Sequence, residues 1–189
     1  MIRFVVLAAV LALSACGERP APQSAANDAC TREATHQVTW SNAAAADVIS
    51  ARAEGPSCTQ AVVLLTLRNA RGDALWTIAN TFYDMTAGGV PPEDAPATAP
   101  QDVDRFLAAW VDATQLRSSQ LPEWREGMSR PGEGVEALGY HSWFERDVYE
   151  AMRARDLPLL CFAVAAEGVQ CLMMDPASHA PSVLVAYGP

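Results

Sequence analysis

The chain is 189 residues long, has a formal net charge of −9, and contains 13 arginines but no lysine. The lack of lysine excludes Schiff-base chemistry and a phosphate-binding loop of the lysine type, and the acidic balance argues against a nucleic-acid partner. Half of the residues are hydrophobic and the charges are dispersed, so we expect one globular domain rather than a disordered or coiled-coil chain.

The first residues have the layout of a secretory signal. Residues 1–3 are a basic start, residues 4–13 are an apolar run too short to span a bilayer, and Leu-Ser-Ala-Cys ends at Cys16. This last string resembles the lipobox of bacterial lipoproteins, in which the peptide is cleaved before the cysteine and the thiol is diacylated. The resemblance covers four residues and implies a signal peptide at 1–15 and a lipid anchor on Cys16.

In the lipoprotein family an aspartate after the lipidated cysteine is associated with retention in the inner membrane. Gly17 therefore implies the periplasmic face of the outer membrane. Residues 16–27 contain two prolines and small polar residues without a period, which is typical of a tether. The globular domain is expected at residues 28–189.

Four cysteines follow the tether: Cys30, Cys58, Cys161 and Cys171. An even number in an oxidising compartment predicts two disulfides, for which three pairings are open. We favour Cys161 with Cys171, on two apolar runs joined by a turn, and Cys30 with Cys58. No pair has the short spacing of a structural zinc site, and neither a metal nor a cofactor is expected.

Strand patterns dominate the first part of the domain. Residues 35–40 alternate, with His36, Val38 and Trp40 on one face, whereas residues 48–53 fit either a strand or a helical turn. Residues 62–67 and 74–82 are predicted to form a hairpin about a turn that contains Gly72. Both faces of residues 62–67 are apolar, which predicts a central strand covered on both sides.

Two helices are predicted next. After a proline-rich loop at 88–101, Asp102 is predicted to cap a helix with an apolar stripe: Val103, Phe106, Leu107, Trp110, Val111 and Thr114. Residues 122–139 are glycine-rich and predicted to be a loop. A second helix is predicted to start at Val148 under an Asp147–Glu150 capping box, in preference to a Ser142–Glu145 box, and to end before Pro158.

The inner face of the second helix is expected to carry Val148, Met152 and either Tyr149 or Arg155. Three strands are then predicted, at 159–165, 169–174 and 182–187. Strands, two helices and further strands predict an α+β fold in one domain, with a mainly antiparallel sheet and the helices on one face.

The motifs of common enzymes are absent from the sequence: it has no G-x-S-x-G, no G-x-G-x-x-G and no H-E-x-x-H. His141 could still meet Glu145 or Asp147 in space. Tyr140, Trp143 and Trp124 flank the glycine-rich loop and form a candidate binding surface, since exposed aromatic residues anchor interfaces or stack on sugars. The alternative is that these rings belong to the core.

These patterns favour an envelope lipoprotein with a non-enzymatic binding or structural role at the outer membrane, able to meet a protein partner there. Two alternatives stay open. An acidic, disulfide-bonded domain could inhibit a basic lysozyme through charge complementarity. A His141–carboxylate pair would instead make the chain a periplasmic hydrolase.

Overall fold

The computed structural model describes residues 29–189 and confirms an α+β chain in which every strand pairing is antiparallel. The described residues form two sheets, of four and five strands, with three α-helices. The predicted signal peptide, Cys16 and the tether lie outside the described residues.

The first sheet follows the chain in the order β1 (Cys30–Val38), β2 (Asp47–Gly55), β3 (Val62–Arg68) and β4 (Ala74–Thr81). The predicted hairpin is therefore confirmed as β3 and β4, and the ambiguous segment at 48–53 is a strand. Gly72 closes the β3–β4 turn at a φ of 85°, in the left-handed region that glycine adopts without a steric cost.

One face of this sheet is buried and the other is open. Ile49, Val63 and Leu65 are at most 2% exposed on the inner face, but Val62 is 50% and Leu64 is 38% exposed on the outer face. The prediction that residues 62–67 are covered on both sides is therefore wrong. Neighbouring residues of a strand point to opposite faces, and the helix and sheet that cover β3 lie on one side of it.

Two helices follow the first sheet. A short helix, α1 (Phe82–Thr86), was not predicted from the sequence. It begins after Thr81, the last residue of β4, whose hydroxyl accepts from the Asp84 amide and caps the helix. The next helix, α2 (Pro100–Val111), starts two residues before the predicted cap, so Asp102 lies in its first turn. A proline fits the first turn of a helix, because the backbone N–H groups there have no hydrogen-bond acceptor within the helix.

The apolar stripe of α2 is confirmed at four buried positions: Val103, Leu107, Trp110 and Val111. Thr114, the last residue predicted on the stripe, belongs instead to the next strand. The helix packs on β1 and β2, and the Trp110 indole N–H donates to the Ala163 carbonyl at 2.8 Å. The helix is thereby tied to both sheets.

The second sheet has the order β5-β7-β8-β9-β6. Its members are β5 (Thr114–Arg117), β6 (Gly139–His141), β7 (Pro158–Ala165), β8 (Gly168–Met174) and β9 (Pro181–Gly188). One face, which carries Leu160, Phe162 and Leu172, packs towards the first sheet and α2. The opposite face packs against α3 (Arg146–Ala154), mainly through Tyr149. The two longer helices therefore lie on opposite sides of this sheet, which corrects the prediction of one helical face.

The start of α3 corrects both predicted capping boxes, because Glu145 is the N-cap residue. The Ser142 hydroxyl donates to the Leu184 carbonyl at 2.8 Å and accepts from the Phe144 amide at 3.2 Å, and Asp147 accepts from the adjacent Val148 amide. Tyr149 is fully buried, whereas Val148 is 37% exposed, so placing Val148 on the inner face was wrong.

Both favoured disulfide pairings are confirmed. Cys30 is bonded to Cys58, and Cys161 is bonded to Cys171, which lies directly opposite it on the next strand. All four cysteines are buried. No helix within residues 29–189 has the length and apolar character needed to cross a bilayer.

Candidate functional site

The three aromatic residues predicted as one binding surface lie in different surroundings. Trp143 is 61% exposed, whereas Tyr140 and Trp124 are half-buried in the core beside α3. The Tyr140 ring packs on Tyr187 with 5.0 Å between centroids, and burial raises the pKa of both phenols above the usual value. Of the three residues in the predicted surface, only Trp143 is exposed enough to contact a ligand over most of its ring.

Trp124 holds the glycine-rich loop to α3. Its indole N–H donates to the Met128 carbonyl at 2.9 Å, and its amide donates to the Glu150 carboxylate at 2.6 Å. The Tyr149 hydroxyl donates to the Pro122 carbonyl at 2.7 Å. Gly132 has a φ of 68°, and a Cβ there would lie 2.9 Å from the Pro122 side chain. These contacts assign a structural role to Trp124 and define the path of residues 122–138.

Trp143 stands beside an apolar depression of about 450 Å³. We call it the Trp76–Trp143 depression and define it by its lining residues: Trp76, Trp143, Phe144, Gln170, Ser182 and Val183. Trp76 comes from β4, Gln170 from β8, and Ser182 and Val183 from β9. The depression therefore lies where the last strand of the first sheet meets a face of the second sheet.

A few polar groups interrupt this apolar lining. The Trp76 indole N–H is buried and has no hydrogen-bond partner among the described residues. A buried donor without an acceptor costs about 1–3 kcal/mol. Two polar residues, Gln170 and Ser182, also line the depression. Mostly apolar walls with a few polar groups are the usual composition of a ligand-binding pocket.

His141 borders the same region. Its ring packs edge-on against Trp143, with 5.0 Å between the centroids, and the residue is exposed. The structure does not place it in an ion pair with Glu145 or Asp147 within the described part of the chain. Glu145 caps α3, and Asp147 bonds the neighbouring amide. The arrangement lacks the histidine–carboxylate contact that the hydrolase alternative requires.

The buried carboxylate of Asp47 accepts hydrogen bonds from neighbouring residues of the chain. It accepts from the Trp40 amide at 3.1 Å, the Ser41 amide at 2.6 Å and the Ser41 hydroxyl at 2.5 Å. These bonds fix the connection between β1 and β2. Within residues 29–189, no three histidine, cysteine or acidic residues come together in a group that could hold a metal ion.

Comparison with protein-family models, with curated proteins and with solved structures gave no match to this chain. Its function must therefore be argued from its own geometry. Sequence reasoning placed Trp143 in the candidate surface but missed Trp76, which it assigned only to the returning strand of a hairpin. Nothing in the local sequence indicates that Trp76 lines a depression with residues of β8 and β9, about a hundred residues further along the chain.

Proposed function

We propose that this chain is a lipid-anchored protein of the bacterial envelope with a binding role, and that it binds its partner at the Trp76–Trp143 depression. The observation that carries the proposal is Trp143, a large apolar side chain that is 61% exposed at the edge of an apolar depression. Tryptophan is enriched among the residues that dominate binding energy, especially beside pockets.

The energetics support a ligand at this place. Apolar surface in contact with water costs about 25 cal/mol per Å², so covering the exposed part of Trp143 and the adjoining Phe144 and Val183 favours association. The buried indole N–H of Trp76 indicates that the lining is not optimised for the free state alone. Both features are expected of a surface that is completed by a partner.

The cellular location rests on the sequence. The apolar run and the Leu-Ser-Ala-Cys string support cleavage before Cys16 and attachment of lipid at the outer membrane. Stable anchoring takes more than one acyl chain, which a diacylated and N-acylated cysteine supplies. The two disulfides are consistent with an oxidising compartment such as the periplasm.

Inhibition of a basic lysozyme is one form of this binding role and stays within the proposal. The hydrolase alternative is weaker, because His141 contacts Trp143 rather than a carboxylate. The position of His141 therefore fits the border of a binding surface.

Photo-cross-linking in cells tests the proposed site. Amine-reactive reagents are unsuitable since the chain has no lysine, so a photoreactive phenylalanine analogue is placed at position 143. The matched control places it at position 62, where Val62 is 50% exposed on the outer face of the first sheet. We expect an adduct with an envelope component from position 143 and none from position 62. No adduct, or the same adduct from both positions, contradicts the proposed site.

A further inference from the structure

The strand beside the depression, β4, is a sheet edge with a bulge near its start, where Leu75 has no partner in β3, so its regularly paired part is residues 76–81. It is eight residues long, Ala74–Thr81, and carries neither a charged residue nor a proline. Native sheets usually protect their edges with charges, prolines or very short strands. The other edge strands of the described chain follow that rule: β1 carries Arg32 and Glu33, β5 has four residues and β6 has three.

The register shows which backbone groups of β4 point away from the sheet. The Phe82 amide donates to the Ala61 carbonyl at 2.8 Å, one step beyond the Val62–Thr81 pair. Hydrogen-bonded and non-bonded pairs alternate along antiparallel strands. Trp76 and Ile78 therefore bond to β3, whereas Thr77 and Ala79 direct their amides and carbonyls outward.

Those outward groups have no protein partner in the described chain. No hydrogen bond to the backbone of Thr77 or Ala79 from outside β3 is found among residues 29–189. Both residues are exposed. An edge of this kind is a template for one more strand, because only an extended backbone presents donors and acceptors at the matching spacing.

The depression lies where the side chains of an added strand would point. Neighbouring strands lie about 4.8 Å apart, and alternate side chains of each strand point to the same face. A strand placed beside β4 would direct alternate side chains to the inner face, next to Trp76. That region is bordered by Phe144, Gln170 and Val183 of the depression.

We infer that the partner contributes an extended peptide segment that adds to β4 as a fifth strand and inserts an apolar side chain into the Trp76–Trp143 depression. This inference rests on the proposed function and names the chemistry of the partner. Backbone hydrogen bonds to Thr77 and Ala79 give affinity, and the depression selects the apolar residue.

A second copy of the chain fits this site less well than a separate peptide. In a β4–β4 pair, the inward side chains of the added strand would be Trp76 and Ile78, which are already packed in the core of their own copy. They cannot also fill the depression of a neighbour. The formal charge of −9 on each copy further opposes self-association.

Selection from a displayed library of random nonapeptides tests the inference, using the full mature chain with Cys16→Ser so that no lipid is needed. We expect enriched peptides to alternate apolar with other residues. Thr77→Pro removes one outward N–H at an edge position that tolerates proline, so it should weaken binding at least about tenfold. The control Thr77→Val keeps the N–H and should bind within about twofold of the parent chain.

A second measurement does not depend on how Thr77→Pro folds. N-methylation of alternate amides in an enriched peptide should abolish binding in one of the two alternating sets and spare the other, because only one set faces β4. Failure to enrich any peptide overturns strand addition. Strand addition is also overturned if an enriched peptide binds Thr77→Pro as tightly as the parent chain and both N-methylated versions of the peptide still bind. If the parent chain self-associates and Thr77→Pro abolishes this self-association, the edge binds a second copy of the chain. That result also overturns the inference of a separate peptide partner.

The two proposals fail in different ways. If position 143 yields an adduct but enriched peptides ignore both Thr77→Pro and N-methylation, strand addition is wrong and the binding role stands. If position 143 yields no adduct, the proposed function fails whatever the peptides do.

Discussion

At the scale of single residues, Tyr149 is the buried link between α3 and the glycine-rich loop. It is fully buried, and its hydroxyl donates to the Pro122 carbonyl at 2.7 Å. The ring also packs against Trp124, with 5.9 Å between centroids. The Tyr149 phenol therefore helps to position this loop, together with the bonds of Trp124, and no motif in the sequence distinguishes it from other tyrosines.

Tyr149→Phe should lower the free energy of unfolding by about 1–3 kcal/mol, because it leaves the Pro122 carbonyl without its donor. Urea denaturation followed by circular dichroism measures the loss. Tyr83→Phe in α1 is the control, since the Tyr83 side chain donates no hydrogen bond within the described chain. Equal stabilities of Tyr149→Phe and Tyr83→Phe would show that the Pro122 bond contributes nothing.

The same residue predicts a dependence of stability on alkaline pH. Burial raises the pKa of Tyr149, so the folded chain keeps a proton that the unfolded chain releases near pH 10. Its contribution is fully present below about pH 10 and is lost as the pH rises above that value. Above about pH 10 the free energy of unfolding of Tyr149→Phe should fall less steeply with pH than that of the parent chain. The difference in slope is up to about 1.4 kcal/mol per pH unit, the value for one proton released on unfolding. Phe162→Leu, which destabilises without a titrating group, should keep the parent slope.

His141→Ala separates binding from hydrolysis. His141 is exposed and contacts Trp143 rather than a carboxylate, so the variant should stay within about 0.5 kcal/mol of the parent stability. It should also retain the adduct formed from position 143. A stable His141→Ala protein that loses its cellular role would instead favour the hydrolase.

At the scale of elements, the sequence predicted most of the strands and the main helix correctly but not the residues at which the helices begin. Strand alternation and the apolar stripe of α2 are local patterns, and they located β3, β4 and α2. At α3 the N-cap residue is Glu145, and the Ser142 hydroxyl bonds instead to the Leu184 carbonyl of β9 and to the Phe144 amide. The observed N-cap residues, Ala99 for α2 and Glu145 for α3, therefore each lie two or three residues before the predicted ones.

The two disulfides are expected to differ in what they contribute. Cys30–Cys58 closes a separation of 28 residues and Cys161–Cys171 one of 10. On the chain-entropy model, replacing the first pair with alanines costs about 3.5 kcal/mol and replacing the second about 2.7 kcal/mol. Urea denaturation of the two double variants measures both losses. A larger loss for the 161/171 pair would show that packing of its buried sulfurs outweighs loop entropy.

At the scale of the whole molecule, a central five-stranded sheet separates two apolar clusters, one shared with the first sheet and α2 and one with α3. The outer face of the first sheet is open, and the Trp76–Trp143 depression lies beside its last strand. The proposed tether of twelve residues, 16–27, could reach about 40–43 Å from a lipid on Cys16 when fully extended. The proposed anchor would restrict the partner to the envelope.

Cys16→Ser should move the protein from the membrane fraction to the soluble fraction, because the thiol that carries the lipid is lost. Fractionation followed by immunoblotting measures the distribution. The control is Cys30→Ser with Cys58→Ser, which removes two thiols without touching the lipobox and should stay with the membrane. A Cys16→Ser protein that is processed normally and stays membrane-bound contradicts the lipobox interpretation.

The sequence by itself determined the fold class and most of the α2 stripe, because both depend on short-range periods, and it reduced the disulfides to three possible pairings, of which the favoured one is observed. Only the tertiary structure decided that Tyr140 and Trp124 are core residues while Trp143 is exposed. It also decided that Trp76 lines one depression with residues of β8 and β9, which lie about a hundred residues further along the chain. Side-chain exposure depends on what the rest of the chain places beside a residue, and no local pattern contains that information.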